Sequence, residues 1–315
     1  MGVNSGLMTM AQALPMTDEA HQYLVEQSIE MSTIMANGYW KNDEAGLTYP
    51  LYSQDGTVDA GMVADLAGFP RTFANSVTGT GERAFKTGFD IQLPHETYKG
   101  KKLDLVKLNQ ITQALLAVYS DLDSMFFYGE GDGATAFKGL HKRLASGVNV
   151  INAGGTTNRS SIYLQVFGDN DSHFFMPEGE GINEAQVIVD ENALILDGSG
   201  NRMKGLSIFM QSYAGLVVHS PTAIGQIYGL DASDHPATIA LIKQLFTAMS
   251  MDKMGRKRRS VLWMNSRSLE QLKDDMDKEI IRKEYADYGD MSFDTYDNVR
   301  ICTTDAVLTS EAAKS

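Results

Sequence analysis

Between Leu103 and Tyr128 the apolar residues Leu105, Leu108, Ile111, Leu115, Val118, Leu122 and Met125 recur three or four positions apart. That spacing lays them along one stripe of a single helix of about twenty-five residues. At about 1.5 Å per residue the helix runs roughly 40 Å, long enough to be the backbone of a whole domain. It stops at "GEGDGATAFKGL", Gly129 to Leu140, where three glycines alternate with small and acidic residues.

The flanking segments read differently. Upstream, "TDEAHQYLVEQSIEMSTIM" carries Thr17 or Asp18 as a helix cap and apolar positions at Tyr23, Leu24, Ile29 and Ile34. One short helix of this kind needs something outside itself to pack on, so residues 1–40 read as an arm. Residues 41–100 are punctuated by glycines at 46, 56, 61, 68, 79, 81 and 88, with strand-like fragments "LTYPLY" and "AFKTGFDIQL". They read as an extended loop or long hairpin, and connections that long are usually functional. Downstream, "SSIYLQVF", "SHFFMP", "AQVIVD", "ALILD" and "KGLSIFMQSYAGLVVHS" are strand-like, with a turn at "DGSGN". They predict an antiparallel sheet between about residues 160 and 220. A helix then follows in "HPATIALIKQLFTAMSMDKM", a buried strand in "RRSVLWMN", a charged helix starting at Ser266 or Ser268, and a last strand in "NVRICTTDAVL". With no repeating βαβ rhythm, the class is α+β.

Composition narrows function. A formal charge of −13 argues against a protein whose task is to grip phosphates over an extended surface. Cys302 is the one cysteine, which rules out an intrachain disulfide or a cysteine metal cluster and points to folding in a reducing cytoplasm. No lysine or arginine precedes Lys41, so the start lacks the basic flank of a signal peptide. No run of eighteen apolar residues offers a membrane span.

The chemical motifs fall away one by one. Gly133 is followed by Ala134 and Thr135, not by the Lys-Ser/Thr that reaches phosphate and magnesium. A dinucleotide loop leaves a strand, whereas this one leaves a helix, and Glu130 and Asp132 repel phosphate. Helix termination and a turn are the reading that remains. The six histidines, at 21, 95, 141, 173, 219 and 235, show no zinc spacing. Ser199 lacks the nucleophile-elbow pattern, and Asp274 to Glu279 reads as a solvated helix face, with a carboxylate pair for a soluble enzyme as the alternative. "GRKRR", Gly255 to Arg259, reads as a solvated loop entering a strand. Neither a cofactor nor a metal is expected, and the chain reads as a structural protein, not an enzyme.

The order of elements then carries the most information: acidic arm, glycine-punctuated extension, long helix, "GDG…FKGL", sheet, small helical domain. This order resembles the major capsid proteins of tailed double-stranded-DNA bacteriophages, which share the Hong Kong 97-type fold. "SSIYLQVFGDNDSHFFMPEG", "YAGLVVHSPTAIGQIYGL", "SVLWMNSRSLEQL" and "VRICTTDAVLTSEA" are similar to the coat proteins of a short-tailed-phage branch with rearranged chain order. The similarity spans about residues 45–310.

The resemblance implies an N-terminal arm (1–40), an extended loop or E-loop (41–100), a spine helix with a peripheral-domain sheet (101–229), and an axial domain with the C-terminal strand (230–315). It implies self-assembly into pentamers and hexamers that form an icosahedral virion shell around packaged double-stranded DNA, built in the host bacterial cytoplasm. Scaffolding, portal and decoration proteins are the implied partners, with no sequence-specific grip on DNA and no membrane. The alternative is a nanocompartment shell of the same fold enclosing cargo enzymes. Gly68, Gly79 and Gly81 become assembly landmarks of the loop. Gly131, Gly133, Phe137, Gly139 and Leu140 mark the turn off the spine helix.

Overall fold

The computed structural model describes residues 32–43, 46–54, 77–100, 103–131, 137–144, 147, 149–178, 187–196, 200–231, 234–252, 255–275, 282–285 and 292–311. Among these residues the α-helices are α1 (Thr33–Asn37), α2 (His95–Tyr98), α3 (Leu103–Tyr128), α4 (Leu140–Arg143), α5 (Ile239–Ala248) and α6 (Ser266–Asp274). The strands are β1 (Trp40–Asp43), β2 (Thr48–Gln54), β3 (Val77–Arg83), β4 (Phe85–Pro94), β5 (Val150–Asn152), β6 (Ser160–Val166) and β7 (Ser172–Pro177). They continue as β8 (Ile188–Leu196), β9 (Arg202–Val218), β10 (Ile224–Leu230), β11 (Ser260–Met264), β12 (Arg282–Tyr285), β13 (Ser292–Tyr296) and β14 (Val299–Thr303).

The expected spine helix is α3, 26 residues long. Its stripe is buried at Ile111, Leu115, Val118 and Leu122, but at its end the weight moves one position on. Phe126 and Phe127 are buried, and Met125 is half-buried. The reason is that this end of α3 is gripped from two sides. Phe126 meets Trp40 of β1 and Phe174 of β7, while Phe127 meets Tyr163 of β6 and Trp263 of β11.

The described strands form three sheets. The first runs β1-β7-β9-β4, with β8 also paired to β9. The second runs β12-β13-β14-β11-β6-β10-β5, and β2 with β3 makes a separate antiparallel hairpin. The single antiparallel sheet expected over residues 160–220 is therefore corrected. β6 leaves β7, β8 and β9 and pairs antiparallel with β10 and β11. Both faces of β6 are buried, Tyr163 toward α3 and Ile162 and Leu164 toward the core under α5 and α6. A strand covered on both faces needs no polar alternation, so its composition does not say which sheet holds it. Parallel pairing also occurs, β1 with β7, β5 with β10 and β11 with β14. Ile188–Asp190 of "AQVIVD" and Ala193–Leu196 of "ALILD" join into one strand, β8, with a register shift between Asp190 and Ala193. The second sheet takes strands from both sides of the boundary expected at 229/230.

The N-terminal segment expected as arm is described from Ser32 onward, and there it is part of the body. Ser32 caps α1 by accepting from the Met35 amide, and its hydroxyl donates to Asp123 of α3 at 2.7 Å. Ile34, Met35 and Trp40 are buried, so these residues supply core. The expected helix cap at Thr17 or Asp18 lies outside the described residues.

Helices α5 and α6 start on side-chain caps, Thr238 accepting from the Leu241 amide and Asn265 from the Ser268 amide. Each cap satisfies one of the amides that the first turn leaves unpaired. The C-terminal segment is tied back to the spine by Glu311. Its carboxylate accepts from Tyr128 at 2.5 Å, from Tyr163 at 3.3 Å and from Ser161. Burial, and then the charge of Glu311, hold the Tyr128 phenol well above its ordinary pKa.

Candidate assembly site

The turn at the end of α3 and the β2–β3 hairpin meet, and they form the part of the molecule built to position something. Gly129 closes the helix by donating to Met125 O at 2.8 Å, and Gly139 donates to Gly129 O at 2.8 Å. Glu130 and Lys138 form an isolated antiparallel bridge. Gly131 sits at φ +67°, a left-handed conformation that glycine adopts without strain. Phe137 and Leu140 are buried, and the Phe137 ring lies 5.0 Å from Phe126 and 6.3 Å from Phe85. Glu130 is not left to solvent alone, since Lys142 pairs with it at 2.7 Å.

Arg143 then links this turn to the hairpin. Its Nη1 and Nη2 donate to the two oxygens of Glu82 on β3, at 2.5 and 2.7 Å. Nε donates to Lys138 O and Nη2 also to Leu216 O. A two-pronged, largely buried guanidinium–carboxylate pair fixes orientation as well as distance. On the other side of the hairpin, Tyr49 of β2 packs its ring against His173 (5.0 Å), His219 (5.5 Å) and Phe175 (5.6 Å). Ala84, Phe175 and Val217 make a small core there, with Tyr49, Leu51 and Tyr213 against it. The base of the hairpin is thus clamped, and beyond it β2 and β3 pair only with each other among the described strands.

Within the hairpin Gly79 faces Tyr52 and Gly81 faces Pro50. A Cβ on Gly81 would come within 2.5 Å of Thr48 Cγ2. Gly68 and Gly133 lie outside the described residues, as does Ser199.

The structure brings together two histidines that sequence spacing left scattered. His173 and His219 have ring centroids 5.4 Å apart, because β7 and β9 pair there. Both ring nitrogens of His173 are buried without a hydrogen-bond partner. Burial, the neighbouring His219 and the Lys41 charge push His173 down to about 4, and burial lowers His219 as well. Since the unfolded value is near 6.5, the folded state keeps its full stability above that pH and loses it as pH falls through 4. Asp123 works in the opposite direction. Burial raises it to about 7, so its contribution is complete below the ordinary carboxylate range and fades as pH rises through 7. His173→Phe is expected to reduce the loss of stability between pH 6.5 and pH 4 by on the order of 2 kcal/mol relative to the wild type. Urea unfolding across that range measures it, and parallel curves for the two proteins would refute it.

The basic run is in part structural, while Asp274 and Asp275 of the acidic run are exposed, as a solvated helix face would be. In the basic run, Arg256 is buried and donates to Met249 O, Thr222 O and Asp171. Lys257 pairs with Asp252 and Asp297, and Arg259 with Asp171, so the solvated-loop reading is corrected at the buried Arg256, while Gly255 and Arg258 are exposed as the run enters β11. Asp275 accepts from the Ile239 amide at the start of α5, and residues 276–280 lie outside the described set. No group of three or more metal-ligating side chains converges among the described residues, and none of their helices is long and apolar enough to cross a membrane.

This arrangement of spine helix, clamped hairpin and two sheets is the Hong Kong 97-type capsid fold. The structure superposes on the bacteriophage epsilon15 capsid structure with a TM-score of 0.60 at 15% identity, covering 87% of each chain. The bacteriophage JBD30 capsid aligns with a TM-score of 0.45 at 10% identity over 85% of this chain and 88% of that one. No curated protein sequence matches significantly. The profile of the family described as Major capsid protein GP7 matches residues 99–315, and the chain belongs to that family. It is a shell protein of a virion that assembles with copies of itself.

Proposed function

We propose that the chain forms pentamers and hexamers that close an icosahedral shell around packaged double-stranded DNA, without catalysing a reaction. The observation that carries this is the clamped hairpin. Arg143 of α4 holds Glu82 of β3, and Tyr49 packs on His173 and Phe175 of β7, which fixes its base, while its two strands have no third strand to pair with among those described. A rigidly aimed, self-paired ribbon gains stability by burying its length on a neighbour, and repeated contacts around a closed shell reinforce one another. In this reading the hairpin is the E-loop. The spine helix with the first sheet is the peripheral domain, and the second sheet with α5 and α6 is the axial domain. Assembly takes place in the host cytoplasm with scaffolding, portal and decoration proteins as partners. An acidic shell suits DNA that must enter and leave.

Expression with the neighbouring genes, followed by negative-stain electron microscopy and nuclease treatment, tests it. Closed particles of uniform size that protect DNA are expected; small oligomers under every condition, or shells filled with cargo enzyme, would overturn it. Replacing Gly79 with valine is expected to lower the yield of shells at least tenfold and leave the melting temperature of the unassembled chain within a few degrees. Unfolding of the unassembled variant would show that the loop is misplaced.

A further inference from the structure

His173 is fully buried with neither ring nitrogen hydrogen-bonded, and Nε2 of the neighbouring His219 is buried without a partner as well. A bare polar atom in the interior costs stability, and a phenyl ring would fill the same space without that cost. The two imidazoles lie 5.4 Å apart between centroids, and one ring covers both. Tyr49 of β2 stands edge-on to His173 at 5.0 Å and to His219 at 5.5 Å. Tyr49 also seats the hairpin base on Phe175 of β7, so the cover of the pair and the clamp of the hairpin are the same side chain.

The charged groups facing the pair are already engaged with one another. Lys41 of β1 is close enough to disfavour a charged imidazole, and it pairs with Asp169, which also accepts from Tyr39. Asp171 is held by Arg256 and Arg259. Tyr39 itself stands edge-on to His173 at 6.4 Å. A charged ring here needs water, and two charged rings repel each other. Lifting Tyr49 lets water in and lets the rings part. On the other strand of the hairpin Arg143 still holds Glu82, which makes that pair the pivot.

We propose that His173 and His219 are an acid release for the hairpin: when they take up protons, Tyr49 leaves them and the β2–β3 ribbon swings about the Arg143–Glu82 pair while the body stays folded. The proposal rests on the shell reading for its use, because the hairpin is the part of the chain assigned to neighbouring copies. Above pH 6.5 neither form is charged, and the closed form keeps its full advantage. Closed, His173 takes up a proton only near about 4, whereas in water it does so near 6.5, so acid favours the open form. Between pH 7 and pH 4.5 that difference shifts the opening equilibrium roughly fiftyfold toward release.

Pulsed electron paramagnetic resonance on the unassembled chain reads the swing, with spin labels at Ser53→Cys on β2 and at Ser124→Cys, an exposed position of α3. Cys302, the one native cysteine, is buried and stays unlabelled. One dominant label-to-label distance is expected at pH 7. A second population should grow at least tenfold by pH 4.5, with far-ultraviolet circular dichroism unchanged. In the double variant His173→Phe, His219→Phe the pH 7 distance should persist at pH 4.5. Tyr49→Ala, which removes the clamp and keeps both histidines, should show the second population already at pH 7. A single distance at both pH values in the otherwise native chain or in Tyr49→Ala would overturn the release. So would a second population that survives in the double histidine variant, or a distance change that comes with loss of circular dichroism. No shell takes part in these measurements, so failure to form shells would sink the assembly reading and leave the release standing, and a fixed hairpin would do the reverse.

Discussion

Gly139→Ala is expected to lower the melting temperature of the unassembled chain by roughly 6–10 °C, a loss of about 3 kcal/mol. The backbone at Gly139 has φ −72°, which any residue adopts, so the demand is for space and not for torsional freedom. A Cβ there would lie 2.6 Å from Gly129 N and 2.7 Å from Phe127 O. From the other side, a Cβ on Gly129 would lie 2.2 Å from Phe137 O and 2.7 Å from Met125 O. These are backbone atoms of the last helical turn and of the returning segment, and none can rotate away. Relief requires moving the return away from α3, which would break the Gly139-to-Gly129 hydrogen bond and pull Phe137 and Leu140 out of the core. Gly200→Asn serves as the contrast. Its φ is +82° with nothing within 4 Å, and asparagine tolerates that region, so a shift under about 2 °C is expected. Circular dichroism melts of the three proteins decide the matter, and a Gly139→Ala melt within 2 °C of the wild type would show that the return is not held this closely.

What the sequence made legible is what is local. The spine helix follows from a 3.6-residue period sustained over seven turns, and no distant partner can disguise such a signal. Of the glycine-rich extension read over residues 41–100, β2 and β3 pair only with each other and need few core-forming residues, whereas β1 and β4 join the first sheet through distant partners that the glycine count does not mark. The rest depends on separation along the chain. Trp40 pairs in parallel with Phe174, and Arg143 with Glu82, and neither partner carries a local mark of the other. His173 and His219 meet only because β7 and β9 are neighbours, so counting spacings could not join them. The basic run "GRKRR" looked solvated for the same reason. Asp171, which holds Arg256 and Arg259, lies some eighty-five residues before them. The turn landmarks did come together in space, at Gly131, Phe137, Gly139 and Leu140, but the role of Arg143 just beyond them appears only once Glu82 is placed.

Phe126→Ala is expected to cost about 3–5 kcal/mol, the range for emptying a buried aromatic site. The Phe126 ring lies 4.3 Å from Phe174, 5.0 Å from Phe137 and 5.6 Å from Trp40, measured between centroids. Those three partners come from β7, from the return after the spine helix, and from β1. A cavity at Phe126 therefore loosens three segments that nothing else in sequence connects. Trp40 is the most dependent of them. It is buried and its indole nitrogen has no hydrogen-bond partner, so packing alone holds its side chain, beside the backbone pairing of β1 with β7. A double-mutant cycle of Phe126→Ala with Trp40→Ala should show a coupling on the order of 1 kcal/mol. Met125→Ala gives the discriminating comparison, because the apolar stripe read from sequence ends on Met125 while the structure buries Phe126 beside it. Met125 is half-buried, and its truncation should cost about 1 kcal/mol. Urea unfolding of both single variants orders them. A larger loss at Met125 than at Phe126 would mean that α3 is rotated about its axis from the orientation described, and that the two sheets grip a different face of the spine.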